Sequence, residues 1–223
     1  VTKSDPNAEF GRLAAVGSAR SEGLSRSRSI YGLTVDVSAR VGALRAPPIG
    51  PAYPPNSDLS RKLSLAATLL SAGLGTRVIT IDWGSFDTHG DQLGSQDPQL
   101  ATLSRALAAF KADLAARGIE QNVATMVFSE FGRRIQANDS LGTDHGAGGL
   151  MMVSGSSIRG GLAGEFPGLS RTDDNGDLIV KTDFRSVYQA LIAEWLGGDP
   201  SAVLPGGPFP GIDRYDGQHR LTK

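Results

Sequence analysis

Between Asn56 and Gly198 the sequence alternates between apolar residues at helical spacing and short β-branched runs bounded by glycine. That alternation restricts the fold more than any other feature, because the spacing of apolar residues decides which face of an element can be buried. Asn56 or Ser57 is placed to cap a helix with Leu59, Leu63, Ala66, Ala67 and Leu70 on one face, ending near Gly73. Val78-Ile79-Thr80-Ile81, bounded by Gly75 and Gly84, predicts a buried strand. Asp97-Pro98 predicts the start of a second helix, with proline at the tolerated first position; its apolar face is Leu103, Leu107, Phe110 and Leu114, and Gly118 closes it. Val123 to Phe128 and Leu150 to Val153 read as further strands, and Asp177 to Val180 as a candidate strand after the Asp173-Asp174-Asn175-Gly176 turn. A last helix follows Asp183, with Phe184, Val187, Leu191 and Trp195 on one face and Gly197-Gly198 as its stop. Strands and helices at this spacing predict an α/β fold with a parallel-sheet core flanked by helices. Sites in such sheets form beyond the carboxyl ends of the strands.

The flanks differ. Residues 1–55 hold one short helical pattern, Gly11 to Val16, then a Ser/Arg/Gly tract from Ser21 to Arg28 and five prolines between Ala46 and Pro55. Proline fixes φ and removes a donor, so the last stretch reads as loop or extended connection. This region is expected to be a poorly patterned arm, residues 56–198 the domain proper, and residues 199–223 a Pro/Gly-rich tail. The chain of 223 residues is long enough for one domain, and a 39% hydrophobic content supplies its core. A net charge of −1 predicts no general attraction to nucleic acid or anionic lipid. Cysteine is absent, which excludes disulfides and thiolate metal ligands within these residues. No apolar stretch approaches the ~18 residues of a membrane span.

Chemistry concentrates in three segments. Phe86-Asp87-Thr88-His89-Gly90 and Gly142-Thr143-Asp144-His145-Gly146 hold two of the three histidines, and Ser129-Glu130-Phe131-Gly132-Arg133 lies between them. Asp, His and Glu delivered from loops behind predicted strands are the ingredients of a divalent-metal site. Mixed imidazole and carboxylate donors suit Zn²⁺ or Mn²⁺, and carboxylates alone suit Mg²⁺ or Ca²⁺. Asp87 and His89, two residues apart in an extended segment, would share one face; the plain alternative is a turn aspartate beside a surface histidine. Glu130 is expected at a strand's carboxyl end, where Arg133 would face an anionic group or simply pair with Glu130. Asp144 is either a ligand or the acceptor that orients His145. The stretch 131–148 reads as a long loop, a feature associated with function. Glu9-Phe10-Gly11-Arg12 repeats part of the middle motif by coincidence, and His219 reads as a surface bystander. No G-x-S-x-G, H-E-x-x-H or G-x-x-x-x-G-K-[ST] motif occurs, and Gly160 to Gly164 reads as a hairpin.

Phe86-Asp87-Thr88-His89-x-x-Gln92, Ser129 to Arg133, and Asn138-x-x-x-Gly142-Thr143-Asp144-His145-Gly146, followed by Gly160-Gly161 and Thr182 to Arg185, resemble the bacterial family catalogued as domain of unknown function 1501. The resemblance covers about residues 57–198. It implies the alkaline phosphatase and sulfatase superfamily, export to the periplasm or beyond, and a small anionic ester as substrate. In that superfamily one metal is held by an Asp and two His, which carries over to Asp87, His89 and His145. A second metal is held by carboxylates, often with an Asp-His pair; Glu130 falls where that Asp belongs, and Phe131 replaces the His. The superfamily's nucleophile and an aspartate come from an N-terminal half with no counterpart in residues 1–55. The chain therefore reads as the C-terminal half of a longer protein, or a shortened paralogue.

These readings together predict a metal-dependent hydrolase domain acting on phosphate or sulfate esters, with Arg133 or Arg134 steadying the anion. A non-catalytic exported binding or structural domain that keeps the fold is the rival, and hydrolysis of another bond such as an amide is a third reading. The sequence leaves the oligomeric state open.

Overall fold

The computed structural model describes residue 12, residues 22–44, residue 50, residues 52–212 and residues 220–223. The expected helix at Gly11–Val16 (Arg12 excepted), the coincidental repeat at Glu9–Arg12 and His219 lie outside the described residues. Among the described residues four α-helices and four strands follow one another as α1 (Glu22–Ala43), α2 (Asp58–Ser71), α3 (Gln92–Ala116), β1 (Thr125–Val127), β2 (Gly132–Ala137), β3 (Thr143–Gly146), β4 (Met152–Ser154) and α4 (Phe184–Ala190). A π-helical turn, Leu191–Trp195, extends α4. The chain divides into two compact units, residues 1–50 with 64–79 and residues 51–63 with 80–223.

The parallel-sheet core expected from the sequence is not what forms. Among the described residues the strands make two separate two-stranded sheets, β1 with β4 and β2 with β3, both antiparallel. Val78 to Ile81 forms no strand, and Val78 is 68% exposed. The physical reason is that a β-branched run supplies propensity alone, whereas a ladder needs a neighbour to accept its hydrogen bonds. The fold is thus mixed α and β, with its strands paired in antiparallel couples. Asp177 to Val180 contributes one bridge, Thr172 to Leu178, which closes the Asp173–Gly176 turn. Gly160 to Gly164 holds an isolated bridge residue, Ala163, and no extended strand; the preceding Ile158 pairs with Thr222, so the end of the tail is docked with Leu221 and Thr222 buried.

The first unit contains α1, which occupies a stretch expected to lack pattern, and Arg40 of α1 donates to the carbonyl of Gly73 at 2.8 Å. Thr68 is buried there, its hydroxyl donating to the Ser64 carbonyl.

In the second unit the cap at Ser57 is as the sequence predicts: its Oγ accepts from the Ser60 N–H at 3.3 Å. Asp183 caps α4 through the Arg185 N–H at 2.9 Å. The start of α3 differs. It begins six residues before Pro98, and the Gln92 N–H, which has no partner within the helix, donates to the Leu141 carbonyl at 3.0 Å. A tertiary contact therefore sets this terminus. Phe110 and Leu114 of α3 are buried, and Tyr53 donates to Asp113 at 3.0 Å. An apolar cleft of about 440 Å³ lies beside that layer, lined by Leu103, Leu107 and Leu114 of α3 and by Val123, Val127 and Met152. No helix among the described residues is long and apolar enough to cross a membrane.

Candidate metal centre

The site is built by an irregular segment and a hairpin. Residues 82–89 adopt no regular secondary structure. The Thr88 N–H donates back to the Phe86 carbonyl at 2.9 Å, and Thr88 is buried with its hydroxyl accepting from Gln96 Nε2 at 2.7 Å. Asp87 and His89 flank this buried residue and are themselves exposed, at 58% and 48%. The spacing of two thus turns both side chains outward, as expected for an extended stretch.

The stretch 131–148 is not a loop throughout, for β2 and β3 pair within it and put Arg133 opposite His145. The turn of this hairpin packs on the first segment so closely that a Cβ on Gly142 would lie 2.3 Å from the His89 carbonyl carbon. Only glycine fits there. The Asp91 N–H donates to Ser140 O, and the Thr143 hydroxyl donates to Gln92 Oε1 at 2.7 Å.

Docked in this way, Asp87 Oδ1 lies 2.6 Å from His145 Nε2 and 3.0 Å from His89 Nε2. One ligand atom from each of Asp87, His89 and His145 falls within 4.8 Å of the others. The other ring nitrogen of His89, Nδ1, lies 3.0 Å from Asp144 Oδ1, and Asn138 Nδ2 donates to the same oxygen at 3.2 Å. A carboxylate only accepts, so His89 Nδ1 is placed to donate to Asp144, an arrangement that would leave Nε2, on the side of the cluster, for an ion. Asp144 therefore orients His89, the histidine of the other segment, and its carboxylate stays outside the cluster. Phe131 stacks on the His145 ring with centroids 3.9 Å apart and planes 13° apart.

Electrostatics fit this arrangement. The Asp87 carboxyl is held below its usual range, first by the hydrogen bond from His145, then by the charges of His145, His89 and Arg133 acting against desolvation. Asp144 is lowered first by its hydrogen bond from His89 and next by that from Asn138. Both carboxylates stay ionised at neutral pH, as a metal ligand and its supporting acceptor must. One carboxylate and two imidazoles, exposed on one side, match three-ligand sites that leave room for a further oxygen. The residues fit a divalent ion.

Other residues marked by the sequence lie elsewhere. Glu130 is exposed and is not part of the cluster. Arg133 directs its guanidinium inward, donating to the carbonyls of Phe86 and Thr143 and lying 3.4 Å from Thr88 Oγ1. Arg134 pairs with Asp177 at 3.3 Å. Sequence reasoning missed Thr88 and Gln96 as supports. Their signal was the i, i+4 spacing of Gln92 and Gln96, which sets two amides on one helical face toward the site.

Residues 50–191 match the model of a family described as Protein of unknown function (DUF1501), and the chain belongs to that family. The matched span contains Asp87, His89, Asn138, Asp144 and His145. No curated protein and no solved structure matches the chain.

Proposed function

We propose that this chain is a divalent-metal-binding hydrolase domain of the alkaline phosphatase and sulfatase type, acting on a phosphate or sulfate ester. The observation that carries the reading is the convergence of Asp87, His89 and His145 ligand atoms within 4.8 Å. The mixed nitrogen and oxygen donor set favours Zn²⁺ or Mn²⁺ over Mg²⁺ or Ca²⁺. A bound ion would polarise the ester and stabilise charge on its oxygens. The chain's own residues do the rest. Asp87 supplies the negative charge of the site, Asp144 holds His89 in the ligating tautomer, and Phe131 fixes the plane of His145.

One observation favours a second reading, a domain that binds the ion without turnover. Two hydroxyls next in sequence to the cluster and its support are engaged: Thr88 Oγ1 accepts from Gln96 and Thr143 Oγ1 donates to Gln92. Neither is paired with a base that would activate it as a nucleophile. The test is to load the purified chain with Zn²⁺ or Mn²⁺ and assay aryl phosphate, phosphodiester and aryl sulfate hydrolysis. Turnover abolished by Asp87→Ala supports the hydrolase. Tight ion binding with no turnover on any of the three supports the binding domain instead.

A further inference from the structure

We infer that Arg133 and Asn138 are positioning residues, which brace the irregular segment carrying Asp87 and His89 against the hairpin carrying His145. Residues 82–89 belong to no ladder, and Asp87 and His89 are too exposed to be held by burial. Their placement needs other partners, and the hairpin supplies them from side chains. Arg133, the register partner of His145, donates to the carbonyl of Phe86 on one side and of Thr143 on the other. Asn138 Nδ2 donates to the carbonyl of His89 at 2.9 Å, as well as to Asp144 Oδ1. Its own Oδ1 accepts from the N–H groups of Ser140 and Gly142 at 3.0 and 3.1 Å, which fixes the amide in the turn.

The two braces bracket Asp87, one at Phe86 and Thr88, the other at His89. A guanidinium suits the first because its forked donors reach two segments at once, whereas an ammonium is a single point. A guanidinium committed to main-chain carbonyls in this way is a positioning group, and the role of anion holder passes from Arg133. The purpose of the braces rests on the metal-centre reading; their existence does not.

The experiment measures amide hydrogen exchange of the metal-free chain, and then Zn²⁺ binding, for wild type, Arg133→Lys, Asn138→Ala and Asp87→Ala. Thermal midpoints confirm folding first. Expected is at least about 10-fold faster exchange at Thr88 and Asp91, whose N–H groups bond to the carbonyls of Phe86 and Ser140, in Arg133→Lys and Asn138→Ala, with the centre of α3 unchanged. Zn²⁺ affinity should fall about 10–100-fold in both. Asp87→Ala should lose Zn²⁺ with little change in exchange. Faster exchange without Zn²⁺ binding by the wild type would keep the braces and overturn the metal reading. Unchanged exchange in Arg133→Lys and Asn138→Ala would overturn the braces. Lost binding of inorganic phosphate in Arg133→Lys with unchanged exchange would do so too, making Arg133 an anion holder. If Arg133→Lys fails to fold, Asn138→Ala decides alone.

Discussion

The apolar layer around α3 and the candidate metal centre are parts of one unit, yet they are held together by different forces. Around α3, order comes from burial: Phe110 and Leu114 are covered, and Leu103 and Leu107 line the cleft beside β1 and β4. At the candidate metal centre Asp87, His89 and His145 are exposed, and order comes from side chains donating to main-chain carbonyls across sequence gaps of 47 and 49 residues. The first kind of order is robust to single polar changes and sensitive to lost volume. The second is the reverse, since a hydrogen bond contributes about 0.5–1.5 kcal/mol net and an exposed site has no apolar reserve. Stability and ligand geometry should therefore separate under mutation.

The largest effect is expected in the apolar layer. Phe110→Ala should lower stability by about 3–5 kcal/mol through the cavity it leaves, measured by urea unfolding. Zn²⁺ affinity of the folded fraction should stay within about two-fold of wild type, because Phe110 lines the apolar cleft, whose lining includes none of Asp87, His89, Asp144 and His145. A coupled loss of both would join the two regions energetically and break the comparison. Asp144→Ala should behave oppositely, weakening Zn²⁺ about 10–100-fold by freeing the His89 tautomer. Its unfolding midpoint should barely move, and Asp144→Asn, which keeps an oxygen acceptor, should recover part of the affinity in the same titration.

The smallest effect concerns acid. Asp87 and Asp144 have folded values lowered below the ordinary carboxylate range by their histidine hydrogen bonds. A lowered folded value contributes stability that is complete above the unfolded value of about 3.9 and is lost as pH falls through the folded value. Both groups are exposed, so the contribution is small. Asp87→Asn should lower the thermal midpoint slightly near pH 7, where the wild type holds that contribution, and the two midpoints should converge as pH falls below about 4. Midpoints that differ more in acid than at neutral pH would contradict this linkage.

What the sequence disclosed follows the same division. Periodicity reports burial, so α2 and α3 were legible, together with the caps at Ser57 and Asp183 and the stop at Gly197; α4 forms where expected, but Phe184 of its predicted apolar face is exposed and Ser186 is its buried residue. Strand content was legible at 123–128 and 150–153, but pairing was not: these segments face each other antiparallel, and nothing in a β-branched run states its partner's direction. The β2–β3 hairpin was read as a loop because Gly-Arg-Arg-Ile-Gln-Ala and Thr-Asp-His-Gly carry almost no apolar alternation. Of the candidate ligands, Asp87, His89 and His145 come together as their paired motifs suggested. Glu130 lies outside that cluster, and Asp144 serves His89 across the hairpin, a contact between residues 55 apart that adjacency to His145 concealed.

The most direct test of the account is a calorimetric titration of the metal-free chain with Zn²⁺, repeated for Asp87→Ala and His145→Ala. The account predicts one ion per chain, and removal of either ligand should weaken binding by about 100-fold or more while circular dichroism stays unchanged. Absence of saturable binding in the wild type, or equal affinity in both variants, would contradict the claim that Asp87, His89 and His145 form a metal centre.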